Sequence, residues 1–490
     1  MEFSELLEIA KPVTHILLVM SLGFYLITNL QWYSYKIERV LTKHHKPHWH
    51  FLYFAIPFTL YYFVGNFFIV FFFFAYLPSL YIWHRRLDKK LAWTGRVKRF
   101  FGLLVFLTIY GDILCMVKEG CQEFGILLPI ILTLLGSHLT EKVIFLSFKK
   151  SAENKLRNLH NLKIIAVTGS YGKTSIKNFL YQILSRKYRV QMTPRSVNTL
   201  GGIVKDINEN LMNSTEIYIV EAGAREKGDI REIAELLQHQ IAVVGKIGEQ
   251  HIEYFKNISN IAKTKLELLE SKNLKNAYLN DSANDYLYIV EPPFQIEFFG
   301  REISQIYSTI EGTDFSLQIG NEKVRFQTEL LGSFQAENID GVVRVALDLG
   351  FSIDEVQRAI LNLKPVTNRL QKIKAGGKTI LDDGYNSNFD GMLEAFRIVE
   401  KSRGRKVLVS PGLVESSDEL NIQIAKEIDK IFNFVIITGS LNRDLFKREL
   451  KNTKANKVFL EDKSKLEAIL GKYTKSGDLI LFANDAPNFI

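Results

Sequence analysis

Cysteine is almost missing: there are two in 490 residues, Cys115 and Cys121, too few for a disulfide scaffold or a cysteine-rich zinc module. Proline is sparse at 11, and no low-complexity run occurs, which argues against long disorder. Most of the chain also lacks an excess of either charge. Residues 1–150 hold 16 Lys and Arg against 9 Asp and Glu, and the remainder holds 46 against 44. A near-neutral remainder argues against a nucleic-acid binder. Hydrophobic residues reach 47% beside 23% charged residues, a mixed average that points to two unlike parts. All four Trp (32, 49, 83, 93) and both Cys fall before residue 150.

Long uncharged runs fill that first part. Residues 12–35 contain no Asp, Glu, Lys or Arg, and these 24 residues suffice for one spanning helix. An acidic flank (Glu2, Glu5, Glu8) and the lack of a small-residue cleavage site make it a span, not a cleaved leader. Residues 51–84 form a second uncharged run of 34, with ten Phe. As one helix it would measure about 51 Å at ~1.5 Å per residue, too long for a ~30 Å hydrocarbon core. Two short passes turning near Gly65-Asn66 are expected instead. The basic segments 36–46 and 85–99 belong on the cytoplasmic side. Further passes over about 100–117 and 124–146 make about five, an α-helical transmembrane region over residues 1–150. Everything after Lys149-Lys150 is then cytoplasmic. Asp112 interrupts the fourth pass. Its simplest reading is a solvated carboxylate near the outer interface, with an intramembrane functional group as the alternative. Cys115 and Cys121 read most simply as packing residues, with a disulfide as the alternative. His44, His45, His48 and His50 crowd one loop, read as headgroup-facing with metal binding as the alternative.

From residue 151 the pattern becomes α/β. Lys163 to Val167 is a short apolar strand running into Thr168-Gly169-Ser170-Tyr171-Gly172-Lys173-Thr174 and then a helical stretch, Ser175 to Leu184. Strand, glycine-rich turn and helix make a phosphate cradle of backbone N–H groups. Lys173 reaches the terminal phosphates, and the Thr174 hydroxyl suits Mg²⁺. The usual first Gly of such a loop is replaced by Val167. Glu216 to Glu221 is a strand ending in a carboxylate, and Gln240 to Lys246 is another, with His251 beyond it. Glu221 and His251 thus sit at strand ends, where α/β ligands bind. Beyond about residue 366, five short apolar strands (378–381, 406–410, 434–438, 457–460, 478–482) alternate with helical patterns. That alternation predicts a doubly wound parallel sheet. The expected domains are 1–150, 151–365 and 366–490.

These motifs resemble the Mur ligase family. The family's phosphate loop is similar to Thr168–Thr174, its Asn-containing loop to 193–199 with Asn198, and its strand-end Glu to Glu221-Ala222-Gly223. Its His segment is similar to His251-Ile252-Glu253, and Lys265 matches its carbamylated lysine. Gly332 to Asn338 and Asn368-Arg369-Leu370 resemble its nucleotide-contacting segments. Asp382-Asp383-Gly384-Tyr385-Asn386-Ser387-Asn388-Phe389 looks like the signature of the branch that adds D-alanyl-D-alanine to UDP-N-acetylmuramoyl-tripeptide. The resemblance covers about residues 160–490.

The resemblance implies a central P-loop ligase domain and a C-terminal Rossmann-like domain. It implies an ATP-dependent amide ligase of peptidoglycan synthesis at the bacterial inner (cytoplasmic) membrane. ATP and Mg²⁺ would be its cofactors, and UDP-muramoyl-tripeptide and D-alanyl-D-alanine its substrates. Other cell-wall synthesis enzymes are candidate partners. ATP contacts would come from Thr168 to Thr174, Asn338 and Arg369. Metal would be held by Thr174, Glu221, His251 and a carbamate on Lys265. Lys173, His251, Lys265 and Asp383 would be catalytic, and Asn198, Asn386 and Asn388 would bind substrate. The sequence departs from the family at Phe334-Gln335 and Phe389, and at the N-terminus, where membrane segments replace the domain that grips the UDP-sugar. Two alternatives follow: a ligase acting on another, lipid-linked carboxylate, or a P-loop membrane transporter or sensor. A folate-type polyglutamate ligase shares the phosphate loop, but the Asp382–Asn388 segment speaks against it.

Overall fold

The computed structural model describes residues 3–33, 35–42, 46–87, 90–117, 124–249, 255–287, 294–385, 388–414 and 416–484. The chain divides into two compact units, Met1–Ser147 and Phe148–Ile490.

The first unit is helical. Among the described residues, four helices are long and apolar enough to cross a membrane: Ala10–Trp32, Gly65–Arg85, Gly95–Val117 and Leu127–Asn158. The expected break near Gly65 is present, with Gly65 at φ +58° after the helix Ile56–Phe63. The helical stretch before it, 48–63, is only 16 residues, short of the roughly 20 a spanning helix needs. Four membrane-length helices therefore stand where about five passes were expected. Tyr25, Phe72, Tyr76, Phe100 and Leu104 fill the interior, while Phe63, Phe74, Phe106 and Leu128 point outward. A Cβ on Gly23 would lie 2.3 Å from Leu104 Cδ2, so the helices Phe3–Trp32 and Gly95–Val117 approach at a residue without a side chain.

Three polar expectations for this unit change. Asp112 is not solvated: it is 5% exposed and its carboxylate lies 2.9 Å from His15 Nδ1. A carboxylate inside an apolar bundle needs a partner, and the His on the neighbouring helix supplies it. Cys115 is disulfide-bonded, not a free packing residue; Cys121, the chain's one other cysteine, lies outside the described residues. His50 bonds the Tyr25 hydroxyl at 2.7 Å and the Val40 carbonyl at 3.0 Å, so it braces the bundle. His44 and His45 lie outside the described residues.

The second unit is α/β. Its strands are β1 (Lys163–Thr168), β2 (Val190–Met192), β3 (Ile217–Glu221), β4 (Ile241–Val244), β5 (Asn276–Asn280) and β6 (Gln295–Phe299), then β7 (Ile303–Thr309), β8 (Gly312–Ile319) and β9 (Glu322–Thr328). They continue with β10 (Gln371–Ala375), β11 (Lys378–Asp383), β12 (Lys406–Ser410), β13 (Phe434–Thr438), β14 (Asn456–Leu460) and β15 (Leu479–Ala483). The first six form a parallel sheet ordered β2-β3-β1-β4-β5-β6. Strands β1, β3 and β4 are Ile/Val-rich and buried throughout except Lys163, as expected where helices cover both faces. β7–β9 form a small antiparallel sheet. The last six are ordered β10-β11-β15-β12-β13-β14. All five C-terminal strands read from the sequence are present. β10, which pairs antiparallel with β11, went unread because Gln371-Lys372-Ile373-Lys374-Ala375 carries too little apolar character to stand out.

Candidate active site

Parallel register builds the site. Val167 pairs with Glu221, and Thr168 with Val244, so the loop after β1 emerges beside the ends of β3 and β4. The chain turns there on two glycines at positive φ, Gly169 (+145°) and Gly172 (+80°), and enters the helix Lys173–Leu184. Gly169 packs against the Gly245 backbone, which a Cβ would meet at 3.0 Å. The Ser170 and Tyr171 amides donate to the Lys246 carbonyl at 2.9 and 3.1 Å. Thr168 Oγ1 donates to the Ala222 carbonyl at 2.8 Å, so this hydroxyl ties strand to strand.

Lys173 Nζ lies inside the loop, 2.7 Å from the Gly169 carbonyl and 2.8 Å from that of Ser170. Burial pulls its pKa down to about 8; Glu221 opposes the shift and Arg369 adds to it. Glu221, 1% exposed, is gripped from several sides. Thr174 Oγ1 donates to its Oε2 at 3.1 Å, Asn198 Nδ2 to its Oε1 at 3.2 Å, and Lys177 Nζ lies 3.1 Å from Oε2. Lys177 was missed in the sequence. The available signal was its place four residues after Lys173, on the same helix face.

Lys265 is 3% exposed near the end of the helix Ile258–Leu266, which Asn257 caps by accepting from the Asn260 amide at 2.8 Å. Burial first, then the charge of Lys173, draws its pKa down to about 7, against the pull of Asp229, Glu267 and Glu221. His251 and Asn386 lie outside the described residues.

A cleft of about 1030 Å³ opens over the loop, lined on one side by Lys173, Thr174 and Glu221 and on the other by Arg369, Asp383 and Asp390. Arg369 donates to the Tyr385 carbonyl at 2.5 Å, and burial lowers its pKa. Asp383 Oδ1 accepts from the Leu370 amide at 3.0 Å, so one residue of the signature holds the turn that carries Arg369 on the same wall. Asn388 lines the cleft but caps the helix Phe389–Lys401, its Oδ1 accepting from the Gly391 amide at 2.7 Å. Asn338 leans on the loop: a Cβ on Gly172 would lie 2.2 Å from its Oδ1. Gln335, which stands where the family has Asn, accepts from Asn338 Nδ2 at 3.2 Å, so that departure serves to orient Asn338.

Two hard oxygen donors, Thr174 Oγ1 and a Glu221 carboxylate oxygen, thus sit together beside an anion cradle. That donor set fits Mg²⁺, which favours one or two protein oxygens plus phosphates and water.

Residues 167–346 match the Mur ligase middle domain. The UDP-N-acetylmuramoyl-tripeptide–D-alanyl-D-alanine ligase of Bacillus subtilis is 28% identical over 346 residues, 65% of this chain and 72% of that one. Its Escherichia coli counterpart is 26% identical over 54% of this chain and 61% of its own length. A crystal structure of the MurF ligase from Thermotoga maritima in complex with ADP is similar at TM-score 0.60 and 25% identity, covering 70% of this chain and 80% of that one. The phosphate loop and the strand-end Glu221 lie within the segment that matches the Mur ligase middle domain, and the chain as a whole is similar to the D-alanyl-D-alanine-adding Mur ligases.

Proposed function

We propose that this chain is an ATP-dependent amide ligase that adds D-alanyl-D-alanine to UDP-N-acetylmuramoyl-tripeptide, with its first unit embedded in the cytoplasmic membrane. The observation that carries the reading is the cleft, in which Lys173, Thr174 and Glu221 face Arg369 and Asp383. The names of the Bacillus subtilis and Escherichia coli relatives supply the substrates. The outward Phe and Leu side chains and the four long apolar helices support the membrane placement.

The substrate carboxylate attacks the γ-phosphorus of ATP, and the bond to the ADP oxygen breaks. The amine of D-alanyl-D-alanine then attacks the acyl carbon of the resulting acyl phosphate, loses a proton and expels phosphate. Lys173 and the loop amides hold the phosphates and spread the charge that develops on them. Mg²⁺, held by Thr174 and Glu221, would neutralise the phosphate oxygens. Lys265, whose pKa burial draws down to about 7, is the residue to carry a carbamate, which together with His251 would hold a second Mg²⁺. Arg369 and Asp383, on the segment we assign to a C-terminal domain from about residue 366, close the cleft against water. Asn198, on the cleft wall, adjoins the acceptor.

The test is a product assay by mass. Detergent-purified protein receives ATP, Mg²⁺, D-alanyl-D-alanine and either UDP-muramoyl-tripeptide or a lipid-linked muramoyl tripeptide. A pentapeptide with one ADP per bond from the UDP-linked acceptor is expected. Product from the lipid-linked acceptor alone favours the second reading, which the apolar first unit makes worth testing. ATP hydrolysis without ligation overturns both. Retention in carbonate-washed membranes checks the placement.

A further inference from the structure

Lys177 is a fully buried ammonium for which the ligation steps have no direct use. Its side chain is 0% exposed, on the buried face of the helix that starts at Lys173. Nζ donates to the Thr193 carbonyl at 3.0 Å and the Arg195 carbonyl at 2.5 Å, and pairs with Glu221 Oε2 at 3.1 Å. Three donors thus meet three oxygens. The oxygens come from different places: one from the end of β3, two from the loop after β2. That loop runs through Arg195 at φ +45°, a conformation a non-glycine residue holds only when its surroundings enforce it. The same loop returns Asn198 to the other Glu221 oxygen at 3.2 Å and places Ser196 on the cleft wall. Without the ammonium, two carbonyls and a carboxylate would face one another in a space closed to water.

We propose that Lys177 is a positioning residue of the ligation site: its ammonium fixes the Glu221 carboxylate against Thr174 and clamps the 193–198 loop to that carboxylate, so that the metal-binding edge and the cleft wall move as one piece. The role in ligation rests on the ligase reading above; the clamp on Glu221 does not. It follows that charge, not volume, is what the site needs from Lys177.

The full chain is tested as K177M, which keeps most of the volume, and K177A, which leaves room for a small guest. In K177M the ligation kcat should fall by about 100-fold, the loss typical of slight misplacement at a reacting centre, while KM for ATP moves by no more than about threefold. In K177A, propylammonium should restore ligation and 1-propanol should not. A K177M protein with wild-type kcat overturns the proposal. So does equal rescue of K177A by the alcohol, because a filler would then be enough. A separate readout uses no ligation: the rise in melting temperature that Mg²⁺ adds to ADP. K177M should show a smaller rise than wild type, and an unchanged rise overturns the clamp. If wild-type protein forms no amide bond, the ligase reading fails while this comparison still decides the role of Lys177.

Discussion

His15 and Asp112, 97 residues apart, meet inside the helical unit with Nδ1 and a carboxylate oxygen 2.9 Å apart. The His15 ring lies between Tyr61 and Phe124, at 5.6 and 5.2 Å between centroids. Neither partner can regain water when the other is removed. Asp112→Leu and His15→Leu should each destabilise the unit by about 3–5 kcal/mol, the usual penalty for orphaning one half of a buried pair. The double change should lose clearly less than the sum, because two apolar residues leave no stranded charge. Denaturant unfolding in detergent reads all three, and neutral single variants would dismiss the pair as a structural clamp.

Lys173 gives nucleotide binding a pH dependence. Its pKa near 8 means the free protein loses this positive charge as pH rises through 8. Phosphates bind the protonated form and raise its pKa, so affinity should hold below about pH 8 and fall as pH rises above it, and binding near pH 8 should take up about half a proton. Calorimetry in buffers of different ionisation enthalpy measures this. Lys173→Ala should abolish ligation and remove the proton uptake. Uptake that persists in that variant would assign the titration elsewhere.

Lys265 should respond to carbon dioxide. With a pKa near 7, about half its amines are neutral at neutral pH, and only the neutral amine attacks CO₂. Activity should therefore rise with bicarbonate and decline as pH drops below 7. Lys265→Ala should lose ligation and recover part of it with a small carboxylate such as acetate. Full activity of that variant with no additive would rule out a carbamate.

Gly172→Ala should weaken ADP binding by at least about tenfold. Its φ of +80° penalises any Cβ by roughly 1–2 kcal/mol. The new methyl would also meet Asn338 Oδ1 at 2.2 Å. Trimming Asn338 to Ala beside it should recover only the steric part. Wild-type affinity in the single variant would show that the loop bends freely.

The sequence by itself determined a great deal, for local reasons. Uncharged runs mark long helices without any tertiary context, because length and hydropathy are properties of the segment. The loop Thr168–Thr174 declares itself because only glycine reaches the required backbone angles at 169 and 172. Strands β11–β15 were legible as apolar pulses between amphipathic helices, since burial on both faces leaves no polar alternation. Lys173, Thr174 and Glu221 were found by spacing, and the parallel register of β1 and β3 brought them together as expected.

Tertiary structure decided what depends on partners distant in the chain. Asp112 read as solvated because its sequence neighbours say nothing of His15. Asn388 read as a substrate contact, yet its side chain caps a helix whose start only the backbone defines. Lys177 went unread, because nothing local shows that its ammonium ends among Thr193, Arg195 and Glu221. The pKa values of Lys173 and Lys265 belong to the same class. Desolvation and the field of neighbouring charges come from the packed three-dimensional arrangement, and the order of residues along the chain does not contain them.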